Sequence, residues 1–266
     1  MHPRADYHAH TTFSCDGRAS MEAMCRAAIG HALTEIVFTD HLDVHPLDDC
    51  PGYYEPDTYF AELARCRDLF AGELTIKAGI EVGDTHRFGA EIARTVDAFP
   101  YDFSLGSVHW IGDEAPFGAP FYESHDSDWT YHGYFREALA LAGADSFDVL
   151  GHLDMPKREG TAYFGRFDPN LYGDEIRAIL RRLIDRGKGI EINTSGWRRS
   201  ADECCPGPVV LQWYREMGGE ILTIGSDGHR PEQLALRFES AYDVARAAGF
   251  RWLTTFDRRK PVQHRL

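Results

Sequence analysis

EIVFTDH, residues 35–41, is a β-branched and aromatic run that ends in an acid and a histidine. A short apolar run bounded by polar residues reads as a strand buried on both faces, the kind found in parallel sheets. Six further segments share this build: ADYHAH at the start, LTIKAGIEVG (74–83), FSLGSVHW (103–110), FDVLGHLD (147–154), GIEINTSG (189–196) and ILTIGSDGH (221–229). Helical patterns fill the intervals. Ser20 can cap a helix running to about His31, Asp57 can cap 58–70, and 87–98, 130–143, 170–187, 207–218 and 231–248 complete the set. Within 170–187, Ile176, Ile179, Leu180 and Leu183 fall on one face, and Gly187 stops the run. This alternation predicts a parallel α/β fold, either a barrel or a doubly wound sheet. No G-x-G-x-x-G follows the first strand, which argues against a dinucleotide-binding arrangement. No linker or low-complexity stretch divides the chain, so residues 1–266 read as one domain.

The strand ends carry the chemistry. His8 and His10 are two residues apart, so a strand turns both to one side. The second strand ends in Asp40 and His41, and the third carries Glu81. The fourth ends in His109, the fifth in His152, and the seventh in Asp227 and His229. Every expected strand but the sixth delivers an imidazole or a carboxylate near its C-terminal end, where parallel barrels place their active sites. A nitrogen-and-oxygen set without thiolate suits Zn²⁺, Mn²⁺ or Fe²⁺. There are too many ligands for one ion; two or three ions sharing a carboxylate is the natural solution, with Glu81 the bridge. The other histidines, His2, His31, His45, His86, His125, His132 and His264, fall in expected loops, helices or tails and read as surface residues.

Composition narrows the partners. The formal net charge is −14, which disfavours nonspecific binding to nucleic acid or to a membrane surface. Any phosphate handled here needs a local source of positive charge, and metal ions supply one. No apolar run approaches the roughly 20 residues that cross a bilayer, and no apolar secretion segment opens the chain, so a cytoplasmic location is expected. The cysteines, Cys15, Cys25, Cys50, Cys66, Cys204 and Cys205, form no C-x-x-C and are expected as reduced thiols.

DYHAHT, FTDH, GIEVG, SVHW, GHLD, EINTSG and GSDGHRPE occur in this order. Together they resemble the polymerase-and-histidinol-phosphatase (PHP) family, and EINTSGW followed by Arg198 resembles its phosphatase branch. The resemblance runs from Asp6 to the GFRWLTTF tail. It implies a distorted (β/α)7 barrel with a trinuclear metal centre at the C-terminal ends of the strands. One ion would take His8, His10, Glu81 and Asp227. A second would share Glu81 and add His109 and His152. A third would take Asp16, His41 and His229; many family members have a histidine where this chain has Asp16, whereas the phosphatase branch tends to have an acid.

The implied reaction is hydrolysis of a small phosphate monoester, L-histidinol phosphate, in histidine biosynthesis. Lys157 and Arg158 follow GHLD, and Arg158 is the first candidate to grip phosphate oxygens, with Arg198 second. Trp110, Phe117, Tyr163 and Trp197 lie near strand ends and can flank an imidazole ring. Two other activities compete. One is a PHP phosphoesterase acting on nucleotides or other small phosphate esters. The other is a metal-dependent amidohydrolase, which the T-D-H, the lone glutamate and the S-D-x-H fit less well.

Overall fold

The computed structural model describes residues 3–266, so the expectation for His2 lies outside the described residues. All seven expected strands form: β1 (Ala5–Ala9), β2 (Glu35–Phe38) with its continuation β3 (His41–Leu42), β4 (Thr75–Gly83), β5 (Phe103–Ser107), β6 (Val149–Leu150), β7 (Gly189–Asn193) and β8 (Leu222–Gly225). They pair in parallel in the order β1-β2-β4-β5-β6-β7-β8, with β3 on β4. The circle is nearly closed between its ends: Ala9 bridges Gly228, and the Asp227 N–H donates to the His8 carbonyl at 2.7 Å. This is a distorted (β/α)7 barrel.

Helices follow the strands: α1 (Met21–Gly30), α2 (Pro56–Leu69), α3 (Thr85–Val96), α4 (Gly118–Ser124), α5 (Ser127–Leu141), α6 (Lys157–Phe164), α7 (Gly173–Asp185), α8 (Pro208–Glu216) and α9 (Phe238–Ala247). Ser20 caps α1 by accepting the Ala23 N–H, as expected. On α7 the four residues of the expected face are fully buried, each burial contributing roughly 1.5–3 kcal/mol. The expected helix over 231–248 is shorter. A 3-10 turn holds Pro231–Gln233, and Ala235 and Arg237 take left-handed backbone before α9 begins. Two elements went unforeseen at the site end, the short helices α4 and α6. A third is the antiparallel hairpin β9 (Trp252–Asp257) and β10 (Lys260–Arg265). Its Phe256 packs with Tyr7, Val37, Phe103, Leu105 and Val149 in a small core beneath the site residues on four strands.

The expectation of six reduced thiols is corrected. Cys15 and Cys50 form a disulfide, because the loops after β1 and β3 meet with Cα atoms 6.4 Å apart, inside the range such a bond spans. The other four cysteines are buried thiols. Among the described residues no helix is long and apolar enough to cross a membrane.

Candidate metal centre and active site

Nine side chains converge at the C-terminal end of the barrel. The division of the Glu81 carboxylate organises them. Its Oε2 lies 3.2 Å from His8 Nε2 and 3.4 Å from His10 Nε2. Its Oε1 lies 3.1 Å from His152 Nε2 and 3.4 Å from His109 Nε2. Asp227 Oδ1 completes the first group, 3.8 Å from His8 Nε2 and 3.6 Å from His10 Nε2. Donors bound tetrahedrally at about 2.1 Å stand about 3.4 Å from one another, so these spacings are those of ligands around a shared ion. A third group lies beside them: Asp16 Oδ2 is 2.9 Å from His229 Nε2, and Asp16 Oδ1 is 3.8 Å from His41 Nε2. His41 also faces the second oxygen of Glu81, at 3.1 Å through Nδ1.

The polar atoms at the centre test whether these residues fit metal ions. His8 Nε2, His10 Nε2, His41 Nδ1, Glu81 Oε2 and His229 Nε2 are buried without a hydrogen-bond partner. An unpaired buried polar atom costs about 1–3 kcal/mol. Five pointing at one another are a cage for cations, and the residues fit the group. The carboxylates are held in the ionised form that can bind a cation. Burial would raise the Glu81 and Asp227 carboxyls, but neighbouring imidazoles, with Arg158 beside Asp227, hold both well below the ordinary carboxylate range. Burial together with the neighbouring His229 and His41 keeps His10 neutral, the form that binds a metal.

The backbone aims two of the candidate ligands. His152 and Asp227 sit in left-handed conformation, with φ of 22° and 53°. Such strain in non-glycine residues clusters at functional sites. The His152 N–H donates to Glu191 at 2.9 Å and the Tyr134 hydroxyl donates to the His152 carbonyl at 3.2 Å, which holds that turn.

Two residues of the supporting layer escaped the sequence reading. Glu191, on the strand expected to deliver nothing, lies 2.8 Å from His8 Nδ1. Asp43 lies 2.8 Å from His109 Nδ1 and 3.2 Å from His41 Nδ1. Such partners fix the ring orientation of a ligating histidine. The signal for Glu191 was available: a carboxylate in the middle of an otherwise apolar buried strand is costly without a purpose.

The cluster opens into a cavity of about 500 Å³ lined by Arg18, Arg158, Arg198, Arg199 and Arg230. Arg158 Nη1 donates to Asp227 Oδ2 at 2.7 Å and to Ser195 Oγ at 2.9 Å. Arg198 donates to the Ser226 and Asp227 carbonyls at 2.8 and 2.9 Å. Lys157 is elsewhere, fully buried between Asp154 and Glu203 at 2.8 Å from each. Of the four aromatics, Phe117 lines this cavity and Trp110 an adjoining one, while Tyr163 and Trp197 line neither. His45, expected at the surface, is buried in a stack on Trp110 at 4.0 Å between centroids.

Comparison with known proteins places this geometry in context. The PHP domain model matches residues 6–195. A histidinol-phosphatase from Lactococcus lactis is 31% identical over 260 residues, covering 95% of this chain and 94% of that protein. The crystal structure of histidinol phosphate phosphatase from Lactococcus lactis, complexed with zinc, L-histidinol and phosphate, superposes with a TM-score of 0.90. It is 29% identical, and the match covers 98% of this chain and 99% of that one.

Proposed function

This chain belongs to the PHP domain family, and from that premise we propose that it hydrolyses L-histidinol phosphate to L-histidinol and phosphate. The observation that carries the reading is the likeness, along the whole chain, to a structure holding zinc, L-histidinol and phosphate together. On this reading residues 1–266 are one catalytic domain. It acts on a small phosphate ester rather than on nucleic acid or a membrane, in the cytoplasm as a step of histidine biosynthesis.

The cage would take three divalent ions, zinc, manganese or iron: His8, His10, Glu81 and Asp227 would hold one, Glu81, His109 and His152 a second, and Asp16, His41 and His229 a third. Bound there, such ions supply Lewis acidity toward phosphoryl oxygens and make water nucleophilic near neutral pH. The protein's own groups orient the ester. Arg158 directs Nη1 at Asp227 and Ser195, which leaves Nη2 and Nε as a planar donor pair for two phosphoryl oxygens. Arg198 is the second arginine of the phosphate site, and its bonds to the Ser226 and Asp227 carbonyls hold the turn that presents the Asp227 carboxylate. Glu191 and Asp43 fix the rings of His8, His41 and His109, so that the ligand geometry exists before substrate arrives.

Metal-replete protein is assayed for phosphate release from L-histidinol phosphate and AMP, for alcohol release from a phosphodiester, and for hydrolysis of an amide. The expected result is the highest kcat/KM on L-histidinol phosphate. A clearly higher kcat/KM on AMP or on the diester overturns the substrate assignment.

A further inference from the structure

The run EIVFTDH ends in Asp40 and His41, and only the histidine has a place in the cage. Asp40 is nevertheless fully buried, as are His10, Thr11 and Ser14 around it. A buried carboxylate is costly unless hydrogen bonds hold it. Asp40 Oδ1 accepts the Thr11 N–H and the Ser14 hydroxyl, each at 2.7 Å, and Oδ2 accepts the Thr11 hydroxyl at 2.9 Å. All three donors are neutral, and all three come from the turn that follows His10. That turn reaches Asp16 two residues after Ser14, and it is tight: a Cβ on Gly17 would lie 1.7 Å from the Thr11 carbonyl oxygen.

The Ser14 oxygen is the junction. Besides donating to Asp40, it accepts the His41 N–H at 3.0 Å, and His10 Nδ1 lies 3.1 Å away. A hydroxyl has one hydrogen and two lone pairs. The hydrogen goes to Asp40, the shortest of the three contacts. A backbone N–H can only donate, so His41 takes one lone pair. What remains at Ser14 is the other lone pair, and His10 must meet it with a hydrogen on Nδ1. In a neutral imidazole that leaves Nε2 bare. Nε2 is the atom that faces Glu81 at 3.4 Å and Asp227 at 3.6 Å. His8 and His109 meet a carboxylate directly through Nδ1, at 2.8 Å from Glu191 and from Asp43. His10 reaches its carboxylate through a hydroxyl, which also touches the backbone of the third group's His41.

We propose that Ser14 and Asp40 are positioning residues of the metal centre. The Asp40–Ser14 relay fixes the hydrogen of His10 on Nδ1 and ties that ligand to the turn that bears Asp16. The proposal rests on the reading of His10 as a metal ligand. Neither residue touches an ion or the substrate; both act through His10 and through the His41 backbone. In Ser14→Ala the Nδ1 hydrogen loses its buried acceptor. The imidazole is then free to carry its hydrogen on Nε2, from which it must move before an ion binds.

The test compares the wild type with Ser14→Ala and with Thr11→Val, which removes a hydroxyl from the same carboxylate but leaves the Ser14–His10 contact. Zinc affinity is read by competition with a chromogenic chelator, and stability by melts of metal-free and zinc-loaded protein. The His10 tautomer is read by long-range ¹H–¹⁵N NMR of the metal-free chain. Ser14→Ala is expected to weaken zinc binding about 10–100-fold, the usual cost of losing the partner behind a ligating histidine. Thr11→Val lowers both melting temperatures and leaves zinc affinity at the wild-type value. In the wild type the His10 hydrogen sits on Nδ1, a readout that needs no variant to fold. Wild-type zinc affinity in Ser14→Ala, an equal loss of affinity in Thr11→Val, or a hydrogen on Nε2 of His10 in the wild type overturns the relay and leaves the proposed function standing. Undiminished zinc affinity in His10→Ala overturns the ligand set and the relay with it. Zinc binding is read without substrate, so failure of the histidinol-phosphate assignment leaves these outcomes unchanged.

Discussion

Asp16 is the most exposed of the nine side chains at the centre, 51% against 0–23% for those it joins. It also sits in a turn, where an aspartate often serves only to bond its own backbone. The structure shows no such bond from its carboxylate, which faces His229 and His41 instead. Asp16→Asn keeps the shape and removes the charge. Elemental analysis of the purified variant is expected to show one ion fewer per chain, with the pair at Glu81 retained and phosphatase activity sharply reduced. Wild-type metal content and activity would make Asp16 a turn residue. At this scale the primary sequence was most informative about residues that end strands, because position and residue type there point to the same role. Asp43 was not legible, and for Glu191 only the need for a partner was, not which one. Each acts through a histidine from another strand, and only the closed barrel brings the pairs together.

Strand β8 shows how an element protects the site. Gly225 ends it, and a Cβ there would lie 2.2 Å from Glu191 Oε1 and 2.3 Å from His8 Cβ. Real carbon atoms do not approach so closely, and all the neighbours are buried parts of the cage or its support. Gly225→Ala is expected to displace His8 or Glu191, lowering metal content and stability together by an amount typical of core overpacking, about 1–3 kcal/mol. Thermal melts of metal-loaded and chelated protein separate the two effects. Equal loss in both would assign the cost to packing alone. The strand-helix order was legible because hydrophobic period and length agree for seven repeats. The β9–β10 hairpin was not. Its second strand, KPVQHR, is largely exposed and carries no apolar alternation, and pairing with β9 alone defines it. The segment 231–248 reads as continuous helix by its spacing, but left-handed Ala235 and Arg237 break it, and the Ala235 N–H is held by Asp6 at 3.2 Å.

On the scale of the molecule, an acidic protein of net charge −14 presents five arginines at one mouth. The local source of positive charge that a phosphate requires is therefore protein as well as metal. The sequence pointed to Arg158 and Arg198, but not to the full ring, because Arg18 and Arg230 lie far along the chain from α6 and from the Arg198–Arg199 turn. Neither Arg18 nor Arg230 makes a side-chain bond with another described residue. Such a focused field raises the rate of encounter with anions and is screened by salt over a Debye length of about 10 Å at 0.1 M. Raising ionic strength is expected to lower kcat/KM for L-histidinol phosphate while leaving kcat nearly constant, and Arg18→Ala with Arg230→Ala should flatten that dependence. A salt-independent kcat/KM would confine these arginines to a local role.

The Cys15–Cys50 disulfide closes a ring of chain that contains α1, β2 and β3, with Asp16 and His41 inside it. The ring persists when the protein unfolds. For a loop of this size the chain-entropy model assigns about 3–4 kcal/mol of stability to the closure. Thiol reagents, routine additives in protein storage, are thus active ingredients for this molecule. Dithiothreitol is expected to lower the melting temperature by several degrees. It should also loosen the Asp16 turn first, so that protein kept reduced leaks one of its ions on dialysis before the others. Equal melting points and equal retention of all ions with and without reductant would show the crosslink to be inert.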